Sequence, residues 1–388
     1  MSSGRRAERM WRYGCAVLAA VVFSLSDAAA WPQTSAGPLP RRAALGVTLA
    51  VDTAGAVVVS AVAPASAAAA AGVAPGDAIA ALDGTPATSI VQVQSLIARH
   101  RGGDSLAIDI ARSGEKKSLV AVLKPFALES LPNTSFDYGH VTLADGMRLR
   151  TIVSRPMNAA RPAPAVLFLQ GGGCSSIDVP GVDIRMNPYA LIAAMASRGF
   201  VTMRIDKPGT GDSEGPPCAE SGFREELAGY QVALRALVAD PAVDRTRVFL
   251  IGISSGGFVA PLLARDVPVA GISAYGTIAF TPTSYPGRSE RFFREIAVVD
   301  ILAAWAALDT RVQLLHGTYD AVSTASDHAK IAAIVNQKHP GWAEHREFEG
   351  LDHCWTRQKT PEAGRDNCGG GEATMSWNDA VLEFIGRS

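Results

Sequence analysis

Residues 248–263 constrain this chain more than any other stretch of its sequence. They begin with an apolar run of strand length, pass through Gly-x-Ser-x-Gly at Gly252, Ser254 and Gly256, and continue into an Ala- and Leu-rich segment of helical period. A strand, a sharp turn and a helix in this order raise the serine hydroxyl above the edge of a sheet, and the flanking glycines leave room for the turn. Because ordinary strand-to-helix loops can contain the same letters, the rest of the chain has to supply a base, an acid and an oxyanion site.

The amino terminus has the three parts of a secretory signal peptide. Four arginines within the first twelve residues form a basic head, an apolar core follows at 15–25, and three alanines at 28–30 offer a cleavage site. The core is too short to span a bilayer, and no other stretch is long and apolar enough to do so. We therefore expect residues 1–30 to be removed and the mature protein to be secreted or periplasmic, without stable membrane insertion. An uncleaved anchor helix is the alternative.

The composition describes a globular protein rather than a nucleic-acid-binding or disordered one. Lys and Arg number 36 against 37 Asp and Glu, so the net charge is −1 and no basic field is present to hold nucleic acid. The hydrophobic content of 48% supplies ample core, and 388 residues suffice for two or three domains. The sequence implies neither a metal nor an organic cofactor, and its cysteine spacing does not suit a zinc site.

A small β-rich domain is predicted at residues 42–126, after a Pro-, Ser- and Gly-containing linker at 31–41. Its most specific run is Ala-Gly-Val-x-Pro-Gly-Asp-x-Ile at residues 71–79, which an Asp-Gly turn follows at 83–84. With its alternating strands and one helix at about 89–99, this region resembles a bacterial PDZ domain of the kind attached to periplasmic high-temperature-requirement proteases.

The resemblance implies a peptide-binding groove. In that family the loop ahead of the Gly-Val strand captures a peptide's terminal carboxylate with backbone N–H groups, and the peptide adds to the sheet as an extra strand. By position, this loop consists here of Ala44, Leu45, Gly46 and Val47, and the helix at 89–99 forms the other wall. Free peptide C-termini are therefore candidate partners, and a degenerate domain kept as a spacer or lid is the alternative.

From residue 127 to residue 388 the pattern alternates strands and helices. The apolar strand at 165–169 is followed by a helix, another strand, a second helix and the strand that precedes Ser254. Alternation of this kind predicts a mostly parallel, doubly wound α/β sheet with helices on both faces. A segment at about 278–309, rich in Pro, Arg and aromatic residues, interrupts the pattern and is predicted to form a short cap.

This second domain resembles an α/β-hydrolase from about residue 138 to the end of the chain. In that family a nucleophile, an acid and a histidine follow in this order, each in a loop after a strand. Past Ser254, the apolar strand at 312–315 leads to His-Gly-Thr-Tyr-Asp, which matches the family's acid loop at Asp320. The strand at 345–348 leads to His353, which matches the base. The resemblance therefore implies Ser254, Asp320 and His353 as a catalytic triad.

Other acids and histidines remain alternatives for two of these roles. Asp327 and Asp352 compete with Asp320 for the acid, whereas His316 and His328 are interpreted as structural histidines. A serine needs both partners, because its hydroxyl attacks well only when an imidazole takes its proton and an acid orients that imidazole.

The second oxyanion donor is expected in the loop after the strand at 165–169. This loop reads Gln-Gly-Gly-Gly-Cys from Gln170; the family often has His-Gly here, but a backbone N–H donor survives the change. We expect the N–H of Gly172, with Gly173 as second choice, to act together with the N–H of Ser255 at the start of the next helix. The glycine spacing, with no Lys-Ser/Thr after it, disfavours a phosphate-binding loop.

The cysteines point to two disulfides. Removal of the signal peptide leaves four cysteines in an oxidising compartment, and four cysteines allow three pairings. We favour Cys354–Cys368, which would brace the loop of the expected base, and Cys174–Cys218, which follow neighbouring strands beside the oxyanion loop. The first bridge closes a loop of about 15 residues, worth about 3 kcal/mol in the chain-entropy model.

The sequence as a whole favours an exported serine hydrolase that cleaves carboxylic esters through an acyl-enzyme. The Ser-Ser-Gly-Gly run at 254–257 and the loop at 206–211 are similar to those of small-acyl esterases and of the prolyl oligopeptidase family alike. A serine peptidase of the latter type is therefore one alternative, and a non-catalytic PDZ peptide-binding protein is another. The expected partners are a small ester or peptide substrate and free peptide C-termini.

Overall fold

Of the four sheets among the described residues, the two large ones have six strands in the amino-terminal part and eight strands in the carboxyl-terminal part, and the other two have two strands each. The computed structural model of the protein describes residues 37–178, 189–282 and 287–387. The predicted signal peptide and the start of the predicted linker lie outside the described residues. None of the helices within those residues combines the length and the apolar character needed to cross a bilayer.

From residue 37 onward, the amino-terminal part forms eight strands and two helices. They are β1 (Ala43–Ala44), β2 (Val47–Val51), β3 (Val57–Val62), α1 (Ala67–Ala70), β4 (Ala78–Leu82), β5 (Thr85–Pro86), α2 (Ile90–Ala98), β6 (Ser105–Arg112), β7 (Glu115–Val122) and β8 (Lys124–Pro125).

Strand β2 lies at the edge of the smaller sheet, whose order is β2-β3-β4-β6-β7, with β5 paired to β4. Inward-facing residues alternate along β6, where Leu106, Ile108 and Ile110 are buried beneath α2. Helix α2 begins at Ile90 because the hydroxyl of Ser89 accepts the N–H of Gln92 and caps it. The edge of β2 and the side of α2 therefore bound a groove, as the resemblance to PDZ domains implied.

The described residues of the carboxyl-terminal part form ten strands and eight α-helices. They are β9 (Thr134–Thr142), β10 (Arg148–Pro156), β11 (Ala163–Leu169), α3 (Tyr189–Ser197), β12 (Val201–Ile205), α4 (Phe223–Ala239), β13 (Val243–Ile253), α5 (Ser255–Asp266), β14 (Gly271–Tyr275), α6 (Glu290–Ile296), α7 (Ile301–Ala306), β15 (Arg311–Gly317), α8 (Ala325–Lys338), β16 (Ala343–Phe348), β17 (Thr356–Arg357), α9 (Pro361–Asp366), β18 (Glu372–Ala373) and α10 (Ser376–Gly386).

The larger sheet has the order β16-β15-β14-β13-β11-β12-β10-β9, and the six strands from β16 to β12 run parallel. Helices α3 and α10 cover one face, and α4, α5, α7 and α8 cover the other. This confirms the predicted mostly parallel α/β sheet with helices on both faces. Because the chain runs from β11 outward to β12 and then back to β13 on the other side, the strand order reverses between β11 and β13. Open sheets of this kind bind ligands at the carboxyl ends of such strands.

Part of the segment at residues 278–309, predicted as a short cap, packs on the main core. Helix α7, within that range, packs against α5 and α8, and the side chain of Trp305 is fully buried in the main core. Ile301, Ala304 and Trp305 recur at helical spacing, so they form an apolar face that the core accepts. The aromatic residues of this segment therefore do not by themselves indicate a cap, because some of them pack in the core.

A buried cluster of charges joins the two parts of the chain. Arg41 Nη1 lies 2.7 Å from Asp212 Oδ2, and the backbone N–H of Arg42 donates to Asp212 Oδ1 over 2.7 Å. Arg150, itself buried, lies 2.8 Å from Asp178 and 2.9 Å from Asp212. Because a buried charge is costly unless it is paired, these contacts attach the chain just before β1 to the loops that follow β11 and β12.

Candidate active site

Ser254 lies in a strained turn between β13 and α5. Its backbone has φ +53° and ψ −119°, and α5 begins at the next residue, Ser255. A Cβ added to Gly252 would lie 2.6 Å from the backbone of Gly256, and a Cβ on Gly256 would lie 2.0 Å from the carbonyl oxygen of Leu169. The two glycines are therefore required by close backbone approach, and strain of this kind is typical of functional turns.

Asp320 lies in the loop after β15 and is held by four hydrogen bonds. Its Oδ2 lies 2.8 Å from Nδ1 of His353 and accepts the hydroxyl of Ser323 over 2.8 Å. Its Oδ1 accepts the backbone N–H groups of Val322 and Ser323 over 2.7 and 2.9 Å. Burial raises the pKa of Asp320, but the contact with His353 and these hydrogen bonds outweigh burial and lower the pKa overall, so the carboxylate is ionised.

Gly276 leaves the space in which Asp320 and His353 meet. It follows β14 with φ +62°, and an added Cβ would lie 2.9 Å from Nδ1 of His353 and 3.1 Å from Oδ2 of Asp320. His353 and Ser254 line the same cavity. The structure thus brings together the three residues that the sequence selected from loops after β13, β15 and β16.

The alternative acids have other partners. Asp327 accepts the N–H and hydroxyl of Thr324 over 3.0 and 2.7 Å and so caps α8. Asp352 accepts hydrogen bonds from within its own loop, including those of Cys354 and Thr356. Burial lowers the pKa of His328 to about 4, which suits a neutral histidine within the fold. Of the candidate acids, Asp320 is the one whose carboxylate contacts His353.

A cavity of about 380 Å³ opens beside Ser254 and His353. Its wall includes Gln170, Ile192 and Trp355, and it has more apolar than polar surface. A second cavity of about 250 Å³ also reaches Ser254. Its wall is formed mainly by apolar side chains, among them Phe258, Ile278, Phe280, Phe292, Phe293 and Ile296. The serine hydroxyl therefore has room for a substrate group on either side.

The glycine loop after β11 runs past Ser254, and Gly172 borders both cavities. Gly171 approaches so closely that an added Cβ would lie 3.4 Å from Cβ of Ser254. The N–H of Gln170 donates to the hydroxyl of Tyr230 over 3.1 Å and so has a partner of its own. Gly173 also lines the first cavity, so the structure places both predicted glycine donors at its wall.

Lys207 holds this loop, and the sequence reasoning did not identify its role. Its ammonium group donates to the carbonyl oxygen of Gly171 over 2.5 Å and lies 2.9 Å from Glu226. Burial lowers the pKa of Lys207, and Glu226 opposes that effect. The sequence signal for a buried charge here is the pair Asp206 and Lys207, which comes directly after the strand β12.

Both favoured disulfides are present. Cys174, directly after the glycine loop, is bridged to Cys218, and their Cα atoms lie 5.7 Å apart. Cys354 and Cys368 are bridged with their Cα atoms 5.5 Å apart, directly after His353. Each bridge therefore adjoins a loop that lines the cavity beside Ser254.

Ala44, Leu45, Gly46 and Val47 line a separate groove of about 920 Å³ between β2 and α2. Gly46 has φ +81°, and an added Cβ would lie 2.3 Å from Cβ of Ser66, so the loop cannot accept a larger residue there without moving. The groove is not formed by the smaller sheet alone. Residues of the loop after β12, among them Gly209, Gly211, Ser213, Gly215 and Pro217, complete its wall.

The larger sheet, with Ser254, Asp320 and His353 in loops at the carboxyl ends of its strands, is that of an α/β-hydrolase. The model of the X-Pro dipeptidyl-peptidase (S15) family matches residues 145–381, which is more than half of the chain, and the protein belongs to this family. The PDZ domain model matches residues 43–123. The protein is therefore a hydrolase of the esterase or peptidase type that carries a PDZ domain.

Solved structures with a similar fold include DcsB and two peptidases. DcsB, solved with its substrate analogue, is 16% identical with a TM-score of 0.50, over 65% of this chain and 99% of that one. Porphyromonas gingivalis dipeptidyl peptidase 4 is 16% identical with a TM-score of 0.51, over 73% and 40%. A Mycobacterium tuberculosis puromycin-hydrolyzing peptidase is 16% identical with a TM-score of 0.52, over 74% and 44%. The match spans less than half of the two peptidases, and at these identities it shows the fold alone.

Proposed function

We propose that the protein is an exported serine hydrolase that cleaves carboxylic esters through an acyl-enzyme, with Ser254 as nucleophile, His353 as base and Asp320 as acid. The observation that carries the proposal is the 2.8 Å contact between His353 Nδ1 and Asp320 Oδ2 at the cavity that Ser254 lines. Two disulfides fit the oxidising compartment that an exported protein meets.

The proposed chemistry follows from the tautomer that Asp320 selects. An ionised carboxylate can only accept, so Nδ1 of His353 carries the proton and Nε2 keeps its lone pair. Nε2 takes the hydroxyl proton of Ser254 as the oxygen attacks the ester carbonyl, and the imidazolium then protonates the departing alcohol. In the second step, His353 takes a proton from water as the water attacks the acyl-enzyme. It then returns that proton to the oxygen of Ser254 as the carboxylic acid is released.

The developing oxyanion is assigned to the backbone N–H groups of Ser255 and Gly172, with Gly173 as the second choice for the latter. Ser255 begins α5, so its N–H belongs to the unpaired first turn, where the helix dipole favours negative charge. Gly172 borders both cavities that reach Ser254, where the carbonyl group has to lie. Loss of one such donor typically costs about 10²–10³-fold in rate.

The lining of the two cavities favours an ester substrate over a peptide from which an amino-terminal dipeptide is removed. An enzyme that removes dipeptides from a free amino terminus has to bind an ammonium group, and carboxylates are the strongest partners for it. Among the described residues that line either cavity, none carries a carboxylate. The charged side chains there are Arg204, which pairs with Glu129, and Arg288, which pairs with Glu226.

A serine peptidase is the second candidate, and the family match supports it. A PDZ domain whose groove lies beside the hydrolase loop at 209–217 is also suited to a protein that meets peptide chain ends. We propose that Ala44, Leu45, Gly46 and Val47 bind a free C-terminal carboxylate there. The two candidates share the same nucleophile, base and acid and differ in substrate.

Labelling of the mature protein with a fluorophosphonate probe, followed by assays on short-chain nitrophenyl esters and X-Pro anilides, tests the proposal. We expect labelling at Ser254, faster turnover of esters than of anilides, and loss of both in Ser254→Ala by about 10⁴-fold or more. Ser197→Ala, in helix α3, is the control and keeps full activity. Faster turnover of anilides would establish the peptidase, and folded protein without labelling would establish a non-catalytic binding protein.

A further inference from the structure

Three metal-binding side chains converge at the edge of the larger sheet, outside the site described above. His316 lies on β15, and His345 and Glu347 lie on the edge strand β16. The parallel register places His316 directly opposite Glu347. Because residues two apart on a strand point to the same face, His345 and Glu347 share the face toward which α8 packs.

The distances between the donor atoms are close to those of a metal site. Glu347 Oε1 lies 3.7 Å from Nδ1 of His316 and 3.9 Å from Nε2 of His345, and one donor atom from each residue lies within 4.8 Å of the other two. Tetrahedral ligands at the usual zinc bond lengths lie about 3.4 Å apart. The two distances to Glu347 are longer than this by about 0.3 and 0.5 Å, which a small movement of the exposed Glu347 side chain can close, and the two histidine nitrogens lie within 4.8 Å of each other.

The two imidazoles present unsatisfied nitrogens. Nδ1 of His316 and Nε2 of His345 are buried from solvent and have no hydrogen-bond partner among the described residues. A buried polar atom without a partner costs free energy, so a ligand that bound these nitrogens would relieve that cost. His328, from α8, packs against both rings, with centroids 4.9 Å from His316 and 5.5 Å from His345, and closes the cluster on the helix side.

The remaining nitrogen of His316 has the partner that a metal ligand usually has. Nε2 lies 3.3 Å from the carbonyl oxygen of Ser323, which can only accept, so the proton is on Nε2 and the lone pair is on Nδ1. Ligating histidines almost always donate their second N–H to a carbonyl or carboxylate, which fixes the tautomer and the ring. The lone pair of His316 is thus fixed on the side that faces Glu347.

We propose that His316, His345 and Glu347 bind a divalent transition-metal ion, with water in the remaining position. Two imidazoles and one carboxylate are the donor set of many zinc sites, and zinc fits it best among the common divalent ions. Calcium and magnesium are disfavoured, because both prefer a shell of oxygen ligands.

The ion would cross-link β15 to β16 and hold the loop that carries Asp320. Nε2 of His316 donates to the carbonyl of Ser323, and Ser323 in turn donates to Asp320 through its N–H and its hydroxyl. The ion acts here as a positioning element for this loop and takes no part in the reaction. Its effect is expected on thermal stability first and on activity only through Asp320.

Metal binding by the full mature protein tests the proposal without reference to any substrate. The protein is stripped with a chelator and then titrated with Zn²⁺ and, separately, with Co²⁺. We expect one equivalent of zinc per chain by elemental analysis, a rise in Tm, and visible absorption bands from bound Co²⁺. Since loss of a mere supporting partner costs about 10–100-fold in affinity, Glu347→Gln and His345→Gln should weaken binding by at least as much.

His339→Gln provides the matched control. His339 also lies at the surface near α8, but its Nε2 contacts Asp309 over 2.6 Å and its ring stacks on Trp342. The control should bind zinc and cobalt as the unchanged protein does. The proposal is overturned if the unchanged protein takes up no stoichiometric metal, or if Glu347→Gln and His345→Gln, folded by circular dichroism, bind it as tightly as His339→Gln.

Discussion

At single positions, this protein depends on glycines that allow other residues to approach one another. Gly252 and Gly256 permit the turn at Ser254, and the sequence displays both within one motif. Gly276 is as important for the geometry, yet it belongs to no motif that the sequence shows. It is needed only because His353 and Asp320, far along the chain, meet above it.

Gly276→Ala is therefore expected to damage activity more than stability. The added Cβ would lie 2.9 Å from the His353 ring, so the imidazole has to shift. A displacement of about 1 Å at a catalytic group can cost on the order of 10²-fold in rate. The positive φ adds a strain of about 1–2 kcal/mol. Turnover of a nitrophenyl ester and chemical unfolding of the same preparation measure the two effects.

Gly341→Ala is the control that separates the backbone strain of a positive φ from a steric clash of the added Cβ. Gly341 also has a positive φ of +79°, but an added Cβ there would meet no heavy atom within 4 Å. It should lose a similar free energy of unfolding and keep its kcat/KM. Equal activity of the two variants would contradict the role assigned to Gly276.

At the level of elements, the loop after β16 is organised by the carboxylate of Asp352. It accepts the N–H groups of Cys354, Thr356 and Gly369 and the side-chain amide of Gln358. The Cys354–Cys368 bridge closes the same loop. His353 is thus held from both sides by contacts that are internal to its own loop.

The stability of this loop is expected to decrease at acid pH. Burial raises the pKa of Asp352, but the hydrogen bonds from Gln358, Gly369 and Thr356 outweigh it and lower the pKa overall. The unfolded chain has the ordinary value of about 3.9, so the contribution to stability is present above that pH and is lost as pH falls through the folded pKa. Unfolding in urea at neutral and acid pH measures it.

Asp352→Asn should remove this part of the pH dependence. It should also lower the free energy of unfolding at pH 7 by about 1–3 kcal/mol, because an amide cannot accept all of these hydrogen bonds. Asp379→Asn, at an exposed position on α10, is the control and should leave the slope unchanged. The same slope in Asp352→Asn and in the unchanged protein would assign the acid dependence to other carboxylates.

At the scale of the whole molecule, the PDZ groove and the hydrolase share a wall. The loop at 209–217 lines the groove, and Lys207, just before it, holds the carbonyl of Gly171 beside Ser254. Arg42 borders the groove as well and joins Asp212 in the charged cluster between the two parts. A peptide bound in the groove is therefore expected to affect the hydrolase loop at 209–217.

Hydrogen exchange with a bound peptide tests this expectation. A peptide with a free C-terminal carboxylate should slow exchange in β2, where it adds as a strand, and also in residues 209–217. The amidated form of the same peptide is the control and should protect neither segment, because its terminus lacks the charge that the loop at 44–47 would bind. Protection confined to β2 would show that the groove and the hydrolase are independent.

Much of the fold followed from local pattern. The apolar runs and their spacing predicted the parallel sheet, and the helix at 89–99 was correct to within one residue at each end because Ser89 caps it. The packing of α7 on the core did not follow from the sequence, because the periodicity of Ile301, Ala304 and Trp305 does not reveal whether a helix packs on the core or above it.

The sequence by itself determined what depends on neighbours along the chain: the strand–turn–helix at Ser254, the PDZ-like run and the order of Ser254, Asp320 and His353. Tertiary structure alone decided what depends on register and on side-chain packing. It brought Asp320 rather than Asp352 to His353, shared the groove wall between two sheets, and set His316 opposite Glu347. Contacts of this kind join residues some thirty or more positions apart, and hydrophobic periodicity carries no information about which strand lies beside which.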